Sequence, residues 1–245
     1  MDYKAYFDDS GHEDDPNEII VAIGGATAPL AKWEIAATRW QRVLDDAKME
    51  KFHTKEFDYI WKKDRDRGNH IIDELTSIVL ECTDPVLSYS LIAAYDAARR
   101  PLPREPEQRR AHDCVVEWCF DRAITRLHEG DTIHIIVAHT PRYVGRIGRI
   151  HVGFKKQHPF KNRVGDIILN HTPTNDIHLQ IADLIVSGYV RGLKETVTLD
   201  HWSLSFQAKI HSRYYNDCKS IGFDEVTQGR YILDEPIEPD EPSVI

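Results

Sequence analysis

The chain has 245 residues, of which 41% are hydrophobic and 29% are charged, and this composition is typical of a globular protein rather than of a disordered one. The net charge of −9 disfavours nucleic-acid binding by the surface as a whole, and no apolar run approaches the roughly 20 residues that a membrane span needs. The chain opens without a basic and apolar leader, and its four cysteines form no Cys-x-x-Cys pair, so we expect a cytoplasmic protein with reduced thiols, no membrane partner and no zinc ribbon.

Hydrophobic patterns divide the chain into strands and helices in a regular order. The aromatic segment 3–8 predicts a first strand, the loop-forming segment 10–17 follows it, and 18–27 predicts a second strand in a hairpin with the first. A helix is then expected over 29–48, an irregular polar and aromatic stretch over 51–57, and a helix over 66–82. Further strands are predicted at 86–95, 132–138 and 164–170, and further helices at 107–129, 142–156, 176–194 and 202–219.

This order predicts the fold class. When a two-helix insertion at 30–82 is set aside, the elements run β-β-β-α-β-α-β-α, which is the order of the RNase H fold, an α/β fold with a mixed sheet. Residues 1–230 are therefore expected to form a single RNase H-like domain. The tail 231–245 is acidic and rich in proline, so we expect it to be mobile.

Two acidic residues stand in unusual positions. Asp8 closes the first strand in the run Phe7-Asp8-Asp9-Ser10-Gly11, which aims its carboxylate at a sheet edge, although the same residues also form ordinary turns. Asp183 interrupts an otherwise apolar helix, where a lone carboxylate is costly unless it is paired or coordinated, and Gln180 shares its face. A solvated Asp183 on the outer face of the helix is the alternative.

Other polar residues are candidates for the same site. Glu56 could be a metal ligand and His53 a proton carrier, or both could belong to an ordinary surface loop. His139 follows the fourth strand, which this topology places beside the first, and a surface histidine is the alternative. Glu117 within helix 107–129 is a further candidate, with an exposed helix face as the other interpretation.

A basic stretch lies between Asp131 and Asp166, where no acidic residue occurs. Arg142, Arg146 and Arg149 follow each other at spacings of four and three, so on a helix they share one face. Such a row suits the phosphates of a nucleic-acid backbone, while a solvated basic face is the alternative.

The sequence resembles a known family in two places. The run Tyr6-Phe7-Asp8-Asp9-Ser10-Gly11 and the run Leu-Gln-Ile-Ala-Asp-Leu-Ile over 179–185 together resemble the domain of unknown function 3800 family, over about residues 3–215. That family commonly has Glu where Asp9 stands, and its polar motif after the first inserted helix is similar to 52–57 here. The resemblance implies an RNase H-like fold, a metal-dependent nuclease activity, and Asp8 and Asp183 as the acids of the first strand and the late helix.

The function expected from these features is hydrolysis of nucleic-acid phosphodiesters, in RNA or DNA, with Mg²⁺ or Mn²⁺ as cofactor. Asp8, Asp183 and Glu56 would hold the metal, His53 or His139 would relay protons, and Gln180 would orient Asp183 or a water. RNase H-like nucleases carry another acid at the end of strand four, where this chain has Ala138 and His139. Two alternatives stay open, namely an inactive RNase H-like binding or scaffold protein and a phosphoesterase for small nucleotides.

Overall fold

The computed structural model describes residues 1–12, 14–15, 17–91, 110–138, 140–170, 175–194, 202–203, 206, 209–210 and 218–220. The strands are β1 (Asp2–Ser10), β2 (Ile20–Pro29), β3 (Asp84–Leu91), β4 (Thr132–Ala138), β5 (Val164–Asn170) and β6 (Cys218–Ser220). The helices are α1 (Leu30–Asp46), α2 (Thr54–Lys63), α3 (Arg65–Cys82), α4 (Ala111–Thr125), α5 (Val144–Gln157) and α6 (Ile177–Lys194), with a 3₁₀ turn at Lys161–Arg163. None of the helices in these ranges combines the length and the apolar character that crossing a membrane requires.

The strands form one mixed sheet in the order β5-β4-β1-β2-β3-β6. Strands β1, β2 and β3 pair antiparallel as a meander, while β4 pairs parallel with β1, β5 with β4, and β6 with β3. Phe7 of β1 lies opposite Val137 of β4, so these two parallel strands end at the same edge of the sheet. The predicted α/β class with a mixed sheet is confirmed.

Several element predictions need correction. Helix α2 begins at Thr54, inside the stretch 51–57 that the sequence indicated as irregular, so three helices rather than two lie between β2 and β3. Residues 218–220 form a strand rather than the end of a helix, because they pair with β3. The basic helix begins at Val144 rather than at 142. Predictions for 92–95, for 107–109 and for the tail 231–245 fall outside the described residues.

Side chains alternate between the two faces of the sheet along each strand, and helices cover both faces. Tyr6 faces a core shared with α1, α2, α3 and α6 that is rich in tryptophan. Ala5 and Phe7 face the opposite core, which is shared with α4 and α5. The same alternation directs Asp8 toward α6 and Asp9 toward the other layer, so the two neighbouring acids are separated by the sheet.

Two glycines of β2 allow the close packing beside Asp8. Gly25 lies opposite Phe7, and a Cβ atom there would stand 1.8 Å from the backbone oxygen of Tyr6. Gly24 lies opposite Asp8, and a Cβ atom there would stand 3.1 Å from Cβ of Val186 on α6. The helix that carries Asp183 therefore rests directly on the strand that is paired with Asp8.

Replacing Gly25 by alanine should destabilise the protein strongly. The new Cβ would overlap a backbone oxygen, which cannot move away as a flexible side chain would, so we expect a loss of about 3 kcal/mol in the free energy of unfolding. Urea denaturation measures this loss. The matched control is Gly145→Ala on α5, where a Cβ would meet nothing within 4 Å and where alanine should gain up to about 1 kcal/mol. Equal stability of the two variants would contradict the packing at Gly25.

Candidate active site

The two acids predicted from opposite ends of the chain face each other. Asp8 is partly buried at the carboxyl end of β1, and Asp183 is 9% exposed on α6, which packs over β1 and β2. Burial and the negative charge of Asp183 raise the pKa of Asp8 well above its usual value, and Asp9 adds a smaller repulsion. The backbone N–H of Asp9 opposes this shift by donating to Oδ1 of Asp8 at 2.8 Å. The two acids therefore lie close together at one edge of the sheet, and the raised pKa favours the protonated form of Asp8.

Asp183 is held in place by the first residue of α2. The backbone N–H of Thr54 donates to Oδ2 of Asp183 at 2.9 Å, and the Thr54 hydroxyl donates to the same oxygen at 3.1 Å. Within the described part of the chain, the other carboxylate oxygen, Oδ1, accepts no hydrogen bond, and no lysine or arginine pairs with Asp8 or Asp183. One oxygen of Asp183 is therefore used to fix the side chain, while the second remains for a ligand.

Gln180 fixes the segment that precedes Thr54. Its Oε1 accepts from the backbone N–H of Phe52 at 3.0 Å and from Nε1 of Trp40 at 3.2 Å, and its side chain is buried. Gln180 and Asp183, one turn apart on α6, thus bind the same short segment of chain. Gln180 therefore supports the segment that binds Asp183, and its predicted role in orienting Asp183 or a water stays a prediction.

His53 and Glu56 lie at the start of α2, close in sequence to Thr54, which binds Asp183. His53 directly precedes Thr54, and its Nδ1 lies 3.9 Å from Oε1 of Glu56. The Glu56 side chain is 61% exposed and also lies 4.0 Å from Nζ of Lys51. Among the described residues, no group of three or more His, Cys, Asp or Glu side chains is arranged to hold a metal ion. Glu56 as a third metal ligand therefore stays a prediction.

The end of β4 presents no acid to this site. Ala138 is buried there, and His139, the predicted proton carrier, lies outside the described residues. The next described residue, Thr140, donates its hydroxyl to Oδ1 of Asp9. Burial raises the pKa of Asp9, and the Thr140 hydrogen bond and the charges of His12 and Arg142 counteract the rise. Asp9 thus anchors the chain that follows β4 rather than joining Asp8.

Of the three arginines of the basic stretch, Arg146 and Arg149 lie on α5, and Arg142 precedes it. Arg146 donates through Nε to Oδ1 of Asp113 at 2.7 Å, and its Nη2 bonds the other oxygen of the same carboxylate. Arg142 precedes α5 and lies 3.7 Å from Oδ2 of Asp14, while Arg149 is exposed on the helix. Arg146 is therefore paired with Asp113, and α5 packs on the sheet face opposite Asp8. Phosphate binding by Arg142 and Arg149 stays a prediction.

Glu117 does not lie on an exposed helix face, which was the alternative interpretation of this residue. Its side chain is buried, and α4 covers the sheet face opposite α6. Glu117 is therefore separated from Asp8 and Asp183 by the sheet.

His178 is a candidate that the sequence motifs did not single out. Its Nδ1 lies 2.9 Å from Oδ1 of Asp176, and its ring stacks on Tyr6 with the ring centroids 4.6 Å apart. Burial and the charge of Asp176 raise the pKa of Tyr6 to about 12, so this phenol is protonated at neutral pH. Tyr6 points to the same face of β1 as Asp8, two residues later. The Asp-x-His spacing at the start of the helix that carries Asp183 is the signal that could have found it.

No family model matches the chain, and no curated protein is significantly similar to it. The class of the protein is therefore defined by its fold and its site. It is an α/β protein with a mixed sheet and with two acids brought together at the carboxyl end of a central strand.

Asp8→Asn should stabilise the metal-free protein at neutral pH. Because the folded pKa of Asp8 is raised, ionisation of this carboxyl costs stability, and that cost grows as the pH rises through the folded pKa. Asparagine removes the charge and keeps an oxygen that can accept from Asp9. We expect a melting temperature higher by about 2–4 °C at pH 7.5, with a smaller difference at pH 5.

Thermal unfolding in EDTA measures this difference. The matched control is Asp2→Asn, because Asp2 is exposed on the same strand and its replacement should change the melting temperature little. A lower melting temperature for Asp8→Asn than for the wild type at pH 7.5 would contradict repulsion between the two acids.

Gln180→Leu should destabilise the protein by about 2–4 kcal/mol, because the buried N–H groups of Phe52 and Trp40 would lose their acceptor. Gln180→Glu keeps an acceptor oxygen and should cost less. Gln41→Leu is the control, since Gln41 makes only an exposed hydrogen bond to Asp45. Urea denaturation separates these outcomes, and a Gln180→Leu variant as stable as Gln41→Leu would refute the supporting role.

Proposed function

We propose that the protein is a divalent-metal-dependent nuclease of the RNase H-like type, related to the domain of unknown function 3800 family. The observation that carries the proposal is the position of Asp183 close to Asp8, where burial and the charge of Asp183 raise the pKa of Asp8 well above its usual value. The strand order β5-β4-β1-β2-β3, with an antiparallel meander followed by two parallel strands, supports the RNase H-like topology. Helices α1 to α3 would then be the insertion after the second strand.

The residues at the site fit a hard divalent cation. The acid pair offers only oxygen donors, which Mg²⁺ and Mn²⁺ prefer. The described residues supply no cationic side chain to either acid, so a bound cation would relieve their repulsion. When bound, such an ion would polarise the phosphodiester and activate the attacking water.

The chain's own residues would divide the remaining tasks. Asp8 and Asp183 would hold the ion, and Thr54 and Gln180 would keep Asp183 and the start of α2 in place. His53 directly precedes Thr54, which binds Asp183, and His178 lies on α6 with its ring stacked on Tyr6 of β1, so either could carry a proton to or from the reacting oxygen. The ring of His178 is already oriented by Asp176 and Tyr6, which suits that role.

One observation favours an inactive binding protein instead. The end of β4 has the buried Ala138 where RNase H-like nucleases have an acid, and the described residues include no three-acid group. A protein of this kind would bind nucleic acid and would have no cleavage to lose. The two functions therefore differ in a direct assay.

The assay compares the wild type with Asp8→Asn on labelled single-stranded and duplex RNA and DNA and on small nucleotides. We expect cleavage of nucleic acid that requires Mg²⁺ or Mn²⁺, a loss of about 100-fold or more in Asp8→Asn, and unchanged activity in Asp2→Asn. Calorimetric titration should show Mn²⁺ binding to the wild type and not to Asp8→Asn. Absence of cleavage by the wild type on every substrate would favour the binding protein, and activity that persists in Asp8→Asn would refute the site.

A further inference from the structure

Helix α2 leads away from the acid pair with one face buried and the other exposed. Its first residue, Thr54, binds Asp183, and Phe57 and Trp61 are buried against the core. On the opposite face, Tyr59 is 79% exposed, the largest value among the exposed large hydrophobic side chains of the described chain. The buried face anchors the helix, so the exposed ring of Tyr59 is available to contact another molecule.

Lysines surround this tyrosine at helical spacing. Lys55 is four residues before Tyr59, and Lys62 and Lys63 are three and four residues after it, so all three are its neighbours on the helix surface. We call Lys55, Tyr59, Lys62 and Lys63 the α2 patch. All four side chains are exposed.

Acidic residues do not cancel the charge of the α2 patch. Of the two acids in α2, Asp58 is buried and pairs with Arg191 and with Nε1 of Trp202. Glu56, three residues before Tyr59, lies 3.9 Å from Nδ1 of His53 and 4.0 Å from Nζ of Lys51. Beyond the helix, Asp64 accepts from the backbone N–H of Arg67 at the start of α3. The three lysines of the patch therefore outnumber Glu56, the one exposed acid of α2, and give the exposed side of this helix a net positive charge on a protein with a net charge of −9.

An exposed ring among lysines matches the chemistry of single-stranded nucleic acid. The ring can stack on an unpaired base, whatever its identity, while the ammonium groups contact the flanking phosphates. In a duplex the base faces are already stacked on each other, so the ring would have no partner. A protein partner would need a wider apolar surface than one tyrosine provides.

We propose that the α2 patch binds single-stranded nucleic acid and directs it toward Asp8 and Asp183. Along the helix axis, Tyr59 lies about 7.5 Å and Lys63 about 13.5 Å from Thr54, so a short stretch of single strand covers the distance from the patch to the acids. The destination of the strand rests on the proposed function. The binding itself does not, because it needs neither the metal nor cleavage.

The experiment measures binding of fluorescein-labelled oligo-dT, oligo-rU and a duplex of equal length by fluorescence anisotropy, with the full chain in EDTA. We expect single strands to bind more tightly than the duplex. Tyr59→Ala should weaken single-strand binding about tenfold, and Tyr59→Phe should retain it because the ring remains. Lys62→Gln combined with Lys63→Gln should make the slope of log K against log salt shallower by about 0.7 for each phosphate that the variant no longer neutralises.

Two variants on the exposed face of α1, Ile35→Ala and Lys32→Gln, serve as matched controls and should bind like the wild type. Thermal unfolding confirms that each variant is folded. Equal binding of single strand and duplex, no binding of any strand, or unchanged binding by folded Tyr59→Ala would each overturn the proposal. Because these measurements are made without metal, binding through the α2 patch can hold even if Asp8→Asn shows that the nuclease proposal fails.

Discussion

The burial of Asp8 close to Asp183 is the constraint around which this part of the structure is arranged. Two carboxylates that are removed from water and placed near each other cost free energy, and a fold retains such a pair where an opposite charge can be bound. The neighbouring packing allows the two to meet, because Gly24 lets α6 rest on the strand beside Asp8. The unfavourable pair is therefore held in place by favourable packing around it.

The polar face of α6 connects this pair to the helices between β2 and β3. Gln180 and Asp183 accept hydrogen bonds from Phe52, Thr54 and Trp40, residues that are more than a hundred positions away in the chain. The start of α2 is thereby fixed at the acids. Further along α2, Asp58 pairs with Arg191 on the same helix α6. Two turns of α2 thus contact α6 through hydrogen bonds and an ion pair. The outer face of α2 is left to interact with other molecules.

Local sequence patterns predicted the two acids, but they could not predict the features that depend on long-range contacts. Asp8 at a strand end and Asp183 in an apolar helix are visible in short windows of sequence, as is the mixed α/β order. Helix α2 was not predicted because it has only ten residues and begins with polar ones. Its hydrogen bond to Asp183 joins positions far apart in the sequence. The pairing of Arg146 was not predicted for the same reason, since its partner Asp113 lies on another helix. The residues near Arg146 in the sequence do not predict that ion pair.

Anomalous diffraction from crystals soaked in Mn²⁺ would locate a divalent ion shared by Asp8 and Asp183. We expect a peak between the two carboxylates, roughly 2.0–2.2 Å from an oxygen of each, and no such peak in crystals of Asp8→Asn. A peak bound only by exposed groups such as Glu56, or a cationic side chain that fills the space between the two acids, would contradict this expectation.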